Sequence, residues 1–212
     1  MTTFTYSVQE YLSIVRALSI GKLPRPTPTK IWSSPHVKQV KARLKAHKRL
    51  EQRERCCYCQ RSTFGEFKMV LDIEHILPKS RFSHCIFDLP NLAVSCKKCN
   101  MKIKGERLDF LNGEVSELLR IDKSHLFKKE HYKFAHPNLH SVYDHLSIYS
   151  SLDGPATLLH YRIFTEVGKF TYDFFRLEEF VTESMDRVQG LPPPSNDSLH
   201  EQIKALEREV YG

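Results

Sequence analysis

Apolar residues recur at helical spacing near the N-terminus, where residues 7–20 predict an amphipathic helix. Ser7 and Glu10 have the spacing of a capping box at its start, and Gly21 can end it. The expected apolar face consists of Val8, Tyr11, Leu12, Val15 and either Leu18 or Ser19. We interpret this segment as a helix that packs on the rest of the protein.

A second helix is predicted over residues 36–54, with Pro35 at its first turn. Its apolar positions are Val37, Val40, Leu44 and either His47 or Leu50. Lys and Arg side chains occupy the other faces, which form either an ordinary solvated surface or a surface that meets phosphate groups. The preceding residues 22–35 contain four prolines and predict an extended connector.

The pattern changes to strand spacing in residues 67–76, where Met69, Leu71 and Ile73 alternate with polar or small residues. Pro78 is expected to end regular pairing. A loop then leads to a short apolar stretch at 92–94. From about Lys97 we expect a short helix that carries Asn100 and Lys104 and stops at Gly105.

The C-terminal third is rich in aromatic residues between positions 141 and 180, which we interpret as core or subunit contacts. Residues 153–155 predict a turn between two strands, and residues 163–187 predict helix. A proline linker at 191–195 precedes an amphipathic tail helix. The tail is expected either to fold back on the protein or to dock on a partner.

The charge of the chain favours an anionic partner, nucleic acid first. The net charge of the chain is +7. Residues 36–55 have a net charge of +6 and residues 96–107 of +4, so the rest of the chain is net acidic. The candidate phosphate contacts in these segments are Lys45, Arg49, Lys97, Lys98, Lys102 and Lys104. Neither a signal peptide nor a membrane span is recognisable, so a cytoplasmic, reducing compartment is expected and a membrane partner is not.

Two CxxC pairs dominate the middle of the chain. Cys56 and Cys59 form the first pair, and Cys96 and Cys99 form the second. Four thiolates at this spacing predict a closed structural zinc site. Cys57 is an alternative to Cys56, whereas Cys85 is isolated and is expected to be a small buried or loop residue.

Three residues inside and just after these pairs suit phosphodiester hydrolysis. Glu74 offers a hard carboxylate ligand for Mg²⁺ or Mn²⁺, and Asn100 offers an amide oxygen. His75 offers a base for activating water. Neighbouring strand residues point to opposite faces, so Glu74 and His75 should not hold one metal together. We therefore assign the metal to Glu74 and Asn100 and the water to His75.

The order Glu74-His75, Asn91, Cys96-Lys97-Lys98-Cys99-Asn100 resembles the HNH, or ββα-metal, nucleases in their zinc-bearing branch. This resemblance covers about a quarter of the chain. It implies a general base at His75, metal ligands at Glu74 and Asn100, and a loop-tying role for Asn91. It also implies that Lys104 lies near the phosphate.

The chain departs from the family pattern at two positions. Asn100 stands where a final His is also common, and Glu74 stands where Asp is more usual. Both residues can still hold a metal, and the Glu74 side chain reaches further than that of Asp. Asp72 is the alternative carboxylate ligand.

We therefore predict an α+β fold, with a small ββα-metal core and a four-cysteine structural zinc embedded in mainly helical terminal regions. Residues 1–54 would form the helical N-terminal region with its basic helix, and 55–112 the nuclease core. Residues 113–190 would form a helical, aromatic-rich region, and 191–212 the linker and tail.

A second resemblance concerns His136-Pro137-Asn138-Leu139 and Tyr143-Asp144-His145-Leu146. These segments resemble those that follow the HNH core in bacterial anti-phage nucleases of Septu-type and retron-associated systems. The resemblance implies an ATPase protein partner. His136, Asp144 and His145 are either substrate or supporting residues of the site, or ordinary turn and core residues.

Three hypotheses follow for the function. The first is a metal-dependent endonuclease, with DNA favoured over RNA. The second is a zinc-stapled nucleic-acid-binding module without catalysis. The third, which is compatible with the first, is an effector that is silent until a partner binds. The basic segments supply affinity for phosphate but no base readout.

Overall fold

The computed structural model describes residues 3–19, 27–153 and 156–182. The chain divides into two compact units, residues 1–142 and residues 143–212. The boundaries predicted at 54 and 112 both fall inside the first unit. The linker and tail predicted over 191–212 lie outside the described residues, as does Gly21. No helix in the described part of the chain is long and apolar enough to cross a membrane.

Helix α1, Val8–Ser19, begins with the predicted capping box. The backbone N–H of Ser7 donates to Oε2 of Glu10 at 2.8 Å, and the N–H of Glu10 donates to Oγ of Ser7 at 3.2 Å. The predicted apolar face is wrong, however: Val8 is 80% exposed and Tyr11 62%. The helix instead buries Ile14 and Ala17, because this stripe meets the neighbouring helices.

Helix α2, Pro28–Ser33, occupies part of the segment that was predicted to be an extended connector. A helix forms here despite the prolines because its N-terminus is capped. Pro28 lies in the first turn, and Oγ1 of Thr27 accepts the backbone N–H of Lys30 at 3.3 Å. Ile31 then anchors the helix in the core. The connector prediction is therefore wrong for residues 28–33.

Helix α3, Lys38–Glu51, follows a 3-10 turn at Pro35–Val37, and the two together bury Val37, Val40 and Leu44 as predicted. The stripe continues to Lys48, which is buried, whereas Leu50 is exposed. Leu50 was therefore the wrong alternative for the last apolar position, and the sequence gives no apolar residue where the core requires one. A hydrogen-bonding partner must meet the Lys48 ammonium there.

Strands β1, Leu71–His75, and β2, Leu92–Cys96, form an antiparallel hairpin in which Leu71 faces Cys96 and His75 faces Leu92. The strand begins later than predicted because residues 68–70 form a 3-10 turn. A π-helix, Lys98–Lys104, follows β2 directly, and Gly105 ends it at a φ of 50°. This strand–strand–helix order gives the α+β core.

After the π-helix, the chain forms two short α-helices in the first unit, α4, Val115–Leu118, and α5, Lys123–Leu126. The core of the N-terminal helices consists of Ile14, Ala17, Ile31, Val37, Val40 and Ile86. Ile86 comes from the long loop between β1 and β2. The N-terminal helices thus anchor the loop of the hairpin.

The second unit begins with a hairpin of β3, Leu146–Asp153, and β4, Ala156–Ile163, on either side of the predicted turn. Helices α6, Glu166–Phe174, and α7, Glu178–Thr182, follow, so a paired hairpin precedes the predicted helical segment. His145 packs tightly here, because a Cβ on Gly168 would lie 2.0 Å from the His145 carbonyl oxygen. The Nδ1 of His145 is 2.8 Å from Oγ1 of Thr165, the residue that caps α6.

Candidate functional site

Four cysteines converge at the base of the hairpin. Their Sγ atoms lie within 4.8 Å of one another, and all four side chains are buried: Cys56, Cys59, Cys96 and Cys99. A zinc–sulfur bond of about 2.3 Å in a tetrahedron sets neighbouring sulfurs roughly 3.8 Å apart. Cys59 and Cys96 are separated by 3.9 Å between sulfurs. The cluster is compatible with zinc binding, and it contains Cys56 rather than Cys57.

Backbone hydrogen bonds hold the first knuckle against β2. The N–H of Gln60 donates to the Cys56 carbonyl at 3.0 Å, and the N–H of Cys57 donates to the Val94 carbonyl at 3.0 Å. The side chain of Gln52, just after α3, pairs with both backbone groups of Val94, each at 2.7 Å. One end of α3 is therefore tied to the strand that carries Cys96.

Glu74 lies in a buried polar group. Its Oε1 accepts hydrogen bonds from the Lys104 ammonium at 2.8 Å and from the Tyr58 hydroxyl at 3.0 Å. Glu74 is 2% exposed and Lys104 is 1% exposed. Burial raises the pKa of the Glu74 carboxyl, and the positive charge of Lys104 opposes that rise. The π-helix and the first knuckle thus meet at this carboxylate.

His75 points into a different environment, as expected for adjacent residues of a strand. Its Nε2 lies 3.2 Å from the Ile86 carbonyl oxygen, and the Trp32 ring packs edge-on at 4.4 Å between centroids. A carbonyl oxygen can only accept, so Nε2 carries the proton and the lone pair is at Nδ1. Burial lowers the pKa of His75 to about 3, with Lys79 as the next cause, so the ring is neutral at neutral pH.

Asn91 ties the loop between the strands. Its Oδ1 accepts the N–H of Leu77 at 2.7 Å, and its Nδ2 donates to the carbonyls of Leu77 at 3.2 Å and Cys85 at 3.0 Å. Asn91 is fully buried. Cys85 directly precedes Ile86, whose carbonyl meets His75. Asn91 therefore acts on the surroundings of His75 without touching the ring.

Asn100 lies on the π-helix, and its Nδ2 donates to Oδ2 of Asp72 at 3.2 Å. Asp72 and Glu74 are two residues apart on β1. Among the described residues, Asn100 has its side-chain hydrogen bond to Asp72 rather than to Glu74. The structure thus brings the two predicted metal ligands to one hairpin-and-helix unit without direct contact between them.

The six predicted phosphate contacts fall into two groups. Lys97 and Lys102 are exposed, and Lys98 is half-buried. Of the other three, Lys45 donates to the Leu71 carbonyl, Arg49 pairs with Glu54 at 2.6 Å, and Lys104 pairs with Glu74. Much of the basic character of α3 is therefore used to hold the fold.

Sequence reasoning missed Tyr58, Trp32 and Gln52. Tyr58 had a signal, since it stands between two cysteines of a knuckle where its hydroxyl must find a buried partner. Trp32 is the single tryptophan, but its contact with His75 depends on helix α2, which was not predicted because the segment is rich in proline. Gln52 carries no local signal, because its partner is 42 residues away.

No protein-family model matches the chain. Over 72 residues, 34% of its length, the chain is 31% identical to the Septu protein PtuB of Bacillus thuringiensis. The matched region is 25% of that protein, so the chain spans about a quarter of the curated relative. This similarity supports a link between the chain and Septu-type defence.

Proposed function

We propose that the chain is a metal-dependent endonuclease of the HNH type that hydrolyses phosphodiester bonds, with DNA as the favoured substrate. The observation that carries the proposal is the setting of His75. Its imidazole is neutral, its tautomer is fixed by the Ile86 carbonyl, and its Nδ1 lone pair has no hydrogen-bond partner among the described residues. A buried four-cysteine cluster closes the hairpin that presents it.

His75 would take a proton from the attacking water at Nδ1. A pKa of about 3 makes the ring a weak base in the free protein. An arriving phosphate would offset the positive charge of Lys79, which is one cause of the low pKa, and would raise the basicity of the ring. Asn91 would keep the Ile86 region, and with it the imidazole, in place.

Glu74 and Asn100 are the proposed ligands of the catalytic metal. Oε1 of Glu74 is occupied by Lys104 and Tyr58, whereas Oε2 has no hydrogen-bond partner in the described part of the chain. Asn100 uses its amide nitrogen on Asp72, which leaves its oxygen as a ligand atom. Mg²⁺ or Mn²⁺ held there would stabilise charge on the phosphate and on the leaving oxygen. Asp72 remains the alternative carboxylate.

We further propose that the four cysteines hold Zn²⁺ as a structural ion and that Lys97, Lys98 and Lys102 contact the phosphate backbone. The similarity to the Septu protein supports an anti-phage role, and the resemblance of the sequence to Septu-type nucleases supports an ATPase protein as partner. In that role the nuclease would act in a cytoplasmic compartment, where its thiolates stay reduced.

A zinc-stapled binding module without catalysis is the competing candidate. The buried ion pair between Glu74 and Lys104 favours it, because such a pair can serve the fold alone. This module would bind nucleic acid with steep salt dependence and would yield no product.

The deciding assay incubates the purified chain with DNA and RNA panels in Mg²⁺, in Mn²⁺ and in a chelator of divalent ions. Each condition is run with and without the co-purified partner. Cleavage that requires the ion supports the nuclease. Binding without product in every condition, partner included, would support the module instead. Full activity of the isolated chain would remove the partner requirement.

A further inference from the structure

Asn138 contacts three backbone carbonyls in and just after the 3-10 turn Leu89–Asn91, which we call the Asn91 turn. Its Nδ2 donates to the carbonyls of Pro90 at 2.8 Å and Leu92 at 3.0 Å, and it lies 3.5 Å from that of Leu89. These carbonyls lie on both sides of Asn91. One side-chain amide therefore fixes the backbone before and after the loop-tying residue.

Asn138 is itself held by hydrogen bonds on its side-chain oxygen and its backbone N–H. Its Oδ1 accepts the Lys48 ammonium at 2.9 Å, and Lys48 is buried and pairs with Glu51 at 2.8 Å. The backbone N–H of Asn138 donates to Nδ1 of His136 at 3.2 Å. A buried lysine on the apolar stripe of α3 is costly unless it is paired, so this arrangement is built around the amide.

His136 and His140 fix the turn that presents Asn138. The N–H of His136 donates to Nδ1 of His140 at 3.0 Å, and the Tyr132 ring packs on the fully buried His136 ring at 4.3 Å. The side chains of the turn itself thus stabilise its conformation. Its histidines support the turn and do not reach His75.

A continuous path connects this turn to His75. Asn138 holds the carbonyls around Asn91, and Asn91 holds the Cys85 carbonyl at 3.0 Å. The next carbonyl, that of Ile86, accepts Nε2–H of His75 at 3.2 Å. Displacement of the Asn91 turn would therefore release the acceptor that fixes the imidazole tautomer.

We propose that Asn138 is a positioning residue for His75, acting through the Asn91 turn. Its hydrogen bonds to that turn select the His75 tautomer with the proton on Nε2. This inference rests on the proposed function for its catalytic consequence. Its structural consequence, the tautomer of His75, does not depend on activity. The two parts can therefore fail separately.

The test uses Asn138→Asp, which keeps an oxygen for Lys48 but replaces the donor that meets the three carbonyls. We expect kcat for DNA cleavage to fall about 10- to 100-fold, because small displacements of a catalytic group have effects of this size, while KM stays unchanged. The long-range ¹H–¹⁵N spectrum of His75 should change from one Nε2–H tautomer to a mixture. The matched control is Asn112→Asp, since Asn112 also donates to a carbonyl, that of Glu130 at 2.8 Å, at an exposed turn away from His75.

The inference is overturned if Asn138→Asp leaves the His75 spectrum as in the wild type, or if kcat falls no further than in the Asn112→Asp control. If the wild-type chain cleaves nothing even with the co-purified partner present, the proposed function fails, and the spectrum still decides the positioning role. Should Asn138→Asp not fold, Lys48→Met releases Oδ1 of Asn138 and should shift the tautomer in the same direction. An unchanged spectrum in that variant also overturns the inference.

Discussion

The pair formed by Glu74 and Lys104 is the most consequential contact at the residue scale. Both side chains are almost completely buried, and their charges are 2.8 Å apart. Loss of one partner from such a pair leaves an uncompensated charge in a low-dielectric site. Lys104, which the sequence placed near the phosphate, has its ammonium on a carboxylate and on the His75 carbonyl at 3.0 Å.

We expect Lys104→Met to lower the free energy of unfolding by about 3–5 kcal/mol, because the Glu74 carboxylate would lose its counter-charge. Lys102→Met, on the exposed side of the same π-helix, should change it by no more than about 0.5 kcal/mol. Urea unfolding of the two variants measures the difference. Equal effects at the two positions would show that the buried pair does not support the fold.

The hairpin closed by the cysteine cluster is the element on which the site depends. Cys56 and Cys57 are neighbours and are both buried, but only Cys56 belongs to the group of converging sulfurs. This gives a matched pair of substitutions within a single knuckle.

We expect Cys56→Ser to lose bound zinc and to melt at a much lower temperature, because a structural site contributes its binding free energy to folding. Cys57→Ser should keep one zinc ion per chain. Elemental analysis of the purified variants, with thermal melts, checks both. Zinc retained in the first variant and lost in the second would reverse the assignment.

An element could be predicted from the sequence where its pattern lies in neighbouring residues, and could not where it depends on contacts with residues far away in the chain. The capping box of α1, the buried apolar residues of α3 and the CxxC pairs are local patterns, and all three were predicted from the sequence. The buried stripe of α1 was not, because Ile14 and Ala17 are chosen by neighbours rather than by periodicity.

Long-range pairs in the candidate site escaped the sequence for the same reason. In the sequence, Lys48 is one of several basic residues on a basic helix. Its partner Asn138 is 90 residues away and meets it only in the folded protein. Lys104 likewise reads as a surface base until β1 supplies Glu74. A charged residue on an apolar stripe, as at Lys48, was the available sign that a buried partner existed.

At the scale of the whole molecule, the count of 32 Lys and Arg residues overstates the number of cations that are free to meet a ligand. Arg43 pairs with Glu10 at 2.6 Å, and Arg49 pairs with Glu54 at 2.6 Å. The exposed bases of the π-helix segment, Lys97 and Lys102, remain available to phosphate. Affinity for nucleic acid should therefore depend on the π-helix segment more than on α3.

We expect Lys97→Gln and Lys102→Gln each to reduce the slope of log affinity against log salt by about 1, as for a lost phosphate contact. Arg49→Gln should leave that slope unchanged, since its guanidinium already pairs with Glu54. DNA-binding titrations at several salt concentrations measure the slopes. A larger effect at Arg49 would place the nucleic-acid surface on α3.

The most direct measurement of the central claim compares DNA cleavage by His75→Ala with that by His84→Ala. His84 is an exposed histidine in the loop between β1 and β2. General-base catalysis contributes about 10²–10⁴-fold, so the cleavage rate of His75→Ala should be at least about 10²-fold lower while its zinc content and DNA affinity are unchanged. His84→Ala should cleave like the wild type. Wild-type cleavage by His75→Ala would contradict the assignment of His75 as the base.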